Sequence, residues 1–140
     1  MCGIFGISKK INPTKDYNNI FIDLRTLVKL SEPRGSDTFG VSFKLKDKTI
    51  LYKLSEKPSK AIFKDSFEKF FEKNLKNYLT DNLIMIGQTR LVTNGSKFSD
   101  QNNQPLQTKN IIGVHNGIFT NLNTYNKNKT INYESYNVQS

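Results

Sequence analysis

Cysteine is almost absent from this 140-residue chain, in which Cys2 stands alone. One cysteine cannot make an internal disulfide or a multi-cysteine zinc site, and a reducing cytosol is the expected compartment. Long hydrophobic runs are missing as well. No apolar stretch approaches the ~18 residues that cross a bilayer, so no membrane association is expected. The opening ten residues lack a basic region followed by a long apolar core, and do not read as a signal peptide. Histidine occurs once, at His115, and arginine three times, at Arg25, Arg34 and Arg90. A lone histidine has no partner ligands, so neither a metal nor another cofactor is expected.

Lysine and asparagine are plentiful. The formal charge is +9, and 18 of the 21 basic residues are lysines, accompanied by 17 asparagines. That charge invites a nucleic-acid reading, which the pattern does not support. Acidic residues interrupt the lysines, as in Lys44-Leu45-Lys46-Asp47-Lys48 and Glu68-Lys69-Phe70-Phe71-Glu72-Lys73. No basic run of five or more exists, nor any familiar nucleic-acid-binding signature. Joint enrichment in Lys and Asn is what an AT-rich coding sequence gives without selection for charge. The lysines are read as a solvated surface, with no nucleic-acid partner.

With 36% hydrophobic and 24% charged residues in 16.1 kDa, the chain has the size and composition of one globular domain. It contains no internal repeat and no linker. Cys2-Gly3-Ile4-Phe5-Gly6-Ile7 reads as a buried strand. Ile20, Phe21, Leu24, Leu27 and Val28 fall at helical spacing, which predicts a helix from about Asp16, its cap, to Leu30. Pro33-Arg34-Gly35-Ser36-Asp37 ends it. Phe39 to Leu45 and Thr49 to Leu54 alternate around Lys46-Asp47-Lys48 as a hairpin. A single amphipathic helix is expected from Lys60 to Leu79, then a strand from Leu83 to Gly87. A polar loop runs from Leu91 to Asn110, followed by a strand from Ile111 to His115. The segment from Asn121 to Asn132 gives no readable pattern. The fold class is α+β, with residues 1–140 as one unit.

The candidate chemistry begins at Cys2. A small residue at position two permits removal of Met1, which would leave Cys2 with a free α-amine. Such an amine titrates at about 7.7–8.0 and a thiol at about 8.5, so one residue could hold nucleophile and base together. A second-position cysteine taken alone is more simply a small buried hydrophobe. Three further stretches change that balance. They are Arg34-Gly35-Ser36-Asp37-Thr38-Phe39-Gly40, Gly87-Gln88-Thr89-Arg90-Leu91-Val92-Thr93-Asn94-Gly95 and His115-Asn116-Gly117-Ile118. With Met1-Cys2-Gly3-Ile4-Phe5-Gly6 they resemble, in order and spacing and over nearly the whole chain, the glutaminase domain of class II glutamine amidotransferases, which are N-terminal-nucleophile hydrolases. The hairpin and long helix between Arg34 and Arg90 are similar to the glucosamine-6-phosphate synthase and amidophosphoribosyltransferase branch.

The resemblance implies a four-layer αββα sandwich with Cys2 opening a central strand. It implies attack of the Cys2 thiolate on the side-chain amide of L-glutamine, a glutamyl thioester, and ammonia passed to a synthase domain or subunit. Asn116 and Gly117 match the oxyanion hole, with Gly117 also lining the substrate site. Arg90 matches the clamp on the substrate α-carboxylate, for which a planar guanidinium suits better than lysine, and Thr93 matches a residue of the glutamine pocket. Arg34 matches an arginine near the nucleophile, a structural helix-end role being equally compatible, and His115 a strand-end residue beside the site. Arg25 is read as a surface residue. Three positions depart from the family pattern, with Gln88, Asn94 and Gln104 standing where histidines are usual. Amides keep hydrogen bonding but do not titrate. Counting the family spacing forward from Asn116 puts the aspartate that holds the substrate ammonium just after Ser140, so a truncated or split amidotransferase domain is expected. A catalytically inactive fold, serving as a binding or regulatory subunit, is the alternative.

Overall fold

Alternating large side chains in four strands pair with i, i+4, i+8 stripes on two helices to make the core. The structure, a computed structural model, describes residues 1–46, 48–76, 80–93 and 98–117. In chain order its elements are β1 (Gly3–Lys10), α1 (Tyr17–Ser31), a 3-10 turn (Glu32–Arg34), β2 (Thr38–Lys44), β3 (Thr49–Leu54), α2 (Pro58–Ala61), α3 (Asp65–Leu75), β4 (Asn82–Arg90), a second 3-10 turn (Asp100–Asn102), β5 (Leu106–Gln107) and β6 (Ile112–Gly113). The fold is mixed α+β. Four antiparallel strands form one sheet in the order β1-β4-β2-β3, and β5 pairs with β6 separately. No helix among the described residues is long and apolar enough to cross a membrane.

One face of the sheet meets the helices. Phe5 of β1, Leu83 and Met85 of β4, Phe39, Val41 and Phe43 of β2 and Ile50 of β3 point to this side, because side chains alternate with period two along each strand. Ile20, Leu24 and Val28 of α1 and Phe67, Phe71 and Leu75 of α3 recur every fourth residue and close over them. Phe67 lies edge-on to Phe39 at 5.6 Å and to Tyr52 at 5.0 Å, and Phe21 meets Phe71 at 4.6 Å. Arg25 is no simple surface residue. Its guanidinium stacks on Phe21 (3.9 Å) and Phe63 (4.4 Å) and donates to Glu68 at 2.5 Å, tying α1 to α3. Arg25→Ala is therefore expected to cost about 1–2 kcal/mol, since stacking adds to a weak half-exposed ion pair. Most of that loss should persist in 1 M salt, which screens only the ion pair. Urea unfolding at low and high salt measures the two parts.

Several predicted bounds move, each for a local reason. The expected helix from Lys60 to Leu79 is two helices. Pro58 supplies a helical φ at the start of α2. Lys64 then turns extended (ψ 140°), and Asp65 and Glu68 place acid in the first turn of α3. Residues 77–79 lie outside the described residues, as do Asp47 and 118–140, which include the unread segment from Asn121 to Asn132. Asp16 occupies the cap position of α1, but its carboxylate accepts from the Asn12 N–H at 2.7 Å instead of capping the helix. The β4 strand runs past Gly87 to Arg90, and the expected strand from Ile111 to His115 shortens to β6, held by β5 inside what reads as polar loop.

The turn after α1 is fixed from afar. Glu32 accepts from the Ser59 N–H at 2.5 Å and the Ser59 hydroxyl at 3.1 Å, and pairs with Lys57 at 3.2 Å, so it caps the start of α2. Burial alone would push the Glu32 carboxyl up. The Ser59 side chain and backbone and the Lys57 ammonium outweigh that and leave it below its ordinary value. A depressed folded-state value contributes stability above the unfolded value of about 4.3, lost as pH falls through the folded one. The stability gap between wild type and Glu32→Gln should thus be constant from neutral pH to about 5 and shrink below about 4. Urea titrations across that range check it.

Candidate functional site

Register brings the site together. Gly3 pairs with Thr89 and Thr38 with Arg90, so the start of β1, the end of β4 and the start of β2 meet at one corner of the sheet. On the face away from α1 and α3, β4 presents Gln88 and Arg90, each 1% exposed. Gly3 is required where it stands, because a Cβ there would come within 2.5 Å of both the Ser31 carbonyl and the Thr89 hydroxyl. Thr89 donates to that carbonyl at 2.9 Å and joins the end of α1 to β4.

Cys2 is buried at 3% exposure, while Met1 before it is 76% exposed. The side chain points inward, its Sγ 3.7 Å from the Leu91 carbonyl, and the chain start points out. Asn116 grips the Cys2 backbone at two points. Its Oδ1 accepts the Cys2 N–H at 3.3 Å, and its Nδ2 donates to the Cys2 carbonyl at 3.2 Å. Arg34 donates from Nε to the same carbonyl at 3.4 Å, and its Nη2 lies 3.9 Å from the Met1 sulfur. Gly117 follows, half-buried, with the His115 ring beside it; a Cβ at 117 would approach His115 Nε2 to 2.9 Å.

Arg90 is the largest fully buried charged side chain. Its Nη1 donates to the Asn102 carbonyl at 2.9 Å and to Asn103 Oδ1 at 3.0 Å. Asn103 in turn donates to the Ser55 hydroxyl at 3.0 Å, and Ser55 donates to Asp100 at 2.6 Å. Burial lowers the Arg90 pKa, opposed by the nearby Cys2 and Asp37; a guanidinium stays charged in any case. Asp37 staples the turn after β4, donating its N–H to the Arg90 carbonyl at 2.9 Å and accepting the Val92 N–H at 2.9 Å.

A second polar layer lies behind Asn116. Gln88 donates from Nε2 to Gln104 Oε1 at 3.1 Å and to the His115 carbonyl at 2.8 Å, while Gln104 Oε1 also accepts the His115 N–H at 2.5 Å. The His115 carbonyl needs a donor and the His115 N–H an acceptor, so neither amide can turn over. Gln88 Oε1 and Gln104 Nε2 are consequently buried with no partner, at about 1–3 kcal/mol each. Gly40 lets the Gln104 carbonyl pass directly over β2, where any Cβ would collide with it.

Of the residues singled out from the sequence, Cys2, Arg34, Arg90, Asn116, Gly117 and His115 gather at this corner. Thr93 does not. It is exposed on the loop past Leu91, and among the described residues no hydrogen bond ties it to Cys2, Arg90 or Asn116. Asn94, Gly95, Ile118 and the run 133–140 lie outside the described residues. Sequence reasoning missed Asn103 and Ser55, whose only signal is contact across the fold, and set Asp100 aside as wrongly placed to hold the substrate ammonium. It also passed over Asp37, although that residue lies in a quoted motif. Two open grooves, of about 630 Å³ beside Tyr17 and Phe71 and about 520 Å³ between Ile84, Ile86 and residues 107–112, are not lined by Cys2, Arg90 or Asn116. Among the described residues no three His, Cys, Asp or Glu side chains cluster as metal ligands.

The chain was compared with models of protein families, with curated proteins and with solved structures, and matches none.

Proposed function

We propose that the chain acts as a class II glutaminase, with Cys2 as nucleophile after loss of Met1. The observation that carries the reading is the two-point grip of Asn116 on Cys2, across 114 residues of sequence. A chain start held this way has its backbone nitrogen 3.3 Å from a carbonyl oxygen that would orient a freed α-amine. That amine would take the thiol proton, and Sγ would attack the side-chain carbonyl carbon of glutamine. The oxyanion would be met by the Asn116 carboxamide N–H and the Gly117 backbone N–H. The ammonium returns its proton as the C–N bond breaks, ammonia leaves, and water hydrolyses the thioester to glutamate. Arg90 would meet the substrate α-carboxylate, and Arg34 would hold the Cys2 carbonyl. Ammonia would pass to a synthase domain or subunit, as expected of this class in the cytosol.

The four-layer sandwich belongs to the same proposal. The sheet face away from α1 and α3 carries Ile4 and Ile84 at 47% and 48% exposure, where a second sheet would pack. A second reading, an inactive fold acting as a binding subunit, is favoured by the buried thiol away from both grooves. Mass spectrometry separates the two. The enzyme reading expects a chain lacking Met1 that takes one covalent adduct on Cys2 from a glutamine-analogue electrophile and releases ammonia from glutamine. Retained Met1 with no adduct would overturn it.

A further inference from the structure

We infer that Gln88 and Gln104 are positioning residues for the Asn116–Gly117 pair, acting together by gripping the His115 backbone at its N–H and its carbonyl. The inference rests on the glutaminase reading for its chemistry, but the grip itself is tested independently. Asn116 and Gly117 are exposed and half-buried, at the end of a two-residue strand. Neither strand pairing nor core packing fixes such a segment within the few tenths of an ångström that an oxyanion contact needs. The Gln88 and Gln104 side chains supply what the strand does not. Gln88 projects from β4, the strand paired on both sides by β1 and β2, and donates to the His115 carbonyl. Gln104 follows the turn whose carbonyl and side chain hold Arg90, and it accepts the His115 N–H. The Asn116 loop is thereby referenced to the strand that carries Arg90 and to the loop that binds its guanidinium. Each amide does this while leaving one of its own polar atoms buried and unpartnered. An apolar pair would fill the same space without that penalty but could not hold the peptide.

The two roles differ in one chemical respect. Gln104 must accept and Gln88 must donate. A neutral imidazole at 104 could accept the His115 N–H, whereas an imidazolium could not; at 88, both forms donate. The other charged and titratable groups on this face are Arg90 on β4, Lys44 on β2, Lys53 on β3, Lys10 on β1 and Cys2 ahead of it, together with Asp100 in the loop before Gln104 and the His115 ring. All are common to wild type and variants, so the variant-to-wild-type ratio isolates position 104.

The test uses the whole chain. Amide hydrogen exchange at His115 should be slow in wild type and about five- to tenfold faster in Gln104→Met. Glutamine kcat should fall about 10–100-fold in the same variant with KM within twofold, as expected of a misplaced oxyanion site. Gln104→His should recover activity above pH 8 and lose it relative to wild type as the imidazole protonates, near pH 6.5. The ratio for Gln88→His should stay flat with pH. Unprotected His115 in wild type, or unchanged exchange in both Gln104 variants, overturns the grip. Protected His115 that Gln104→Met releases with unchanged kcat overturns the positioning role. A wild type that shows the grip but neither hydrolyses glutamine nor takes the electrophile overturns the glutaminase reading alone. If Gln104→Met does not fold, Gln104→His read across pH decides.

Discussion

Cys2→Ala is expected to abolish glutamine hydrolysis, and Cys2→Ser to leave at most a trace, with the fold of both unchanged. Cys2 fills a small buried site whose Sγ makes one long contact to the Leu91 carbonyl, so the structural cost of either change is slight. The catalytic cost is not. No other cysteine exists in the chain, and a serine hydroxyl is far less ionised than a thiol near neutral pH, so the same amine activates it poorly. Removing the nucleophile should lower kcat roughly 10³–10⁶-fold. Ammonia release from glutamine, measured beside far-ultraviolet circular dichroism, checks both halves. Activity within tenfold of wild type in either variant would remove Cys2 from the mechanism.

The helical stripes and the β2–β3 hairpin were legible because each is a local pattern. Ile20, Leu24 and Val28 announce their helix by spacing alone, and Phe39, Val41 and Phe43 announce their strand. The break at Ile62–Lys64 was not legible. Phe63 and Phe67 continue the helical spacing through it, and what separates α2 from α3 is the extended Lys64 and the acidic start at Asp65. Within the site, Cys2 and Asn116 could be named from motifs, but their mutual grip depends on the register of β1 against β4 and on a loop 114 residues away. The buried amides illustrate the same limit. Gln88 and Gln104 stood out as substitutions for histidine. That they bond each other and together hold the carbonyl and N–H of one residue, His115, follows only from the passage of residues 103–105 over Gly40. Ser55 carried no signal, because a hydroxyl in a loop is ordinary until Asn103, which holds a buried guanidinium, needs it.

Arg90→Ala is expected to destabilise the protein by about 2–5 kcal/mol, because it strips a buried network of its central charge. The Asn102 carbonyl and Asn103 Oδ1 would each lose a charge-assisted donor at 2.9 and 3.0 Å, and the chain of contacts through Ser55 to Asp100 would lose its anchor. Stability alone does not separate that role from a clamp on the substrate, since both use the same guanidinium. Arg90→Lys and Asn103→Ala do separate them. An ammonium keeps the charge but not the planar fork, so Arg90→Lys should raise the glutamine KM about 10–100-fold while lowering kcat less, the carboxylate being held in ground and transition state alike. Asn103→Ala removes an acceptor from Nη1 and leaves the fork intact. It should cost about 1–3 kcal/mol in urea unfolding and move KM by no more than a few-fold. Equal KM changes in the two variants, tracking their loss of stability, would make Arg90 a structural pin for the loop of Asn102 and Asn103. A KM change confined to Arg90→Lys would mean that the guanidinium also meets the substrate.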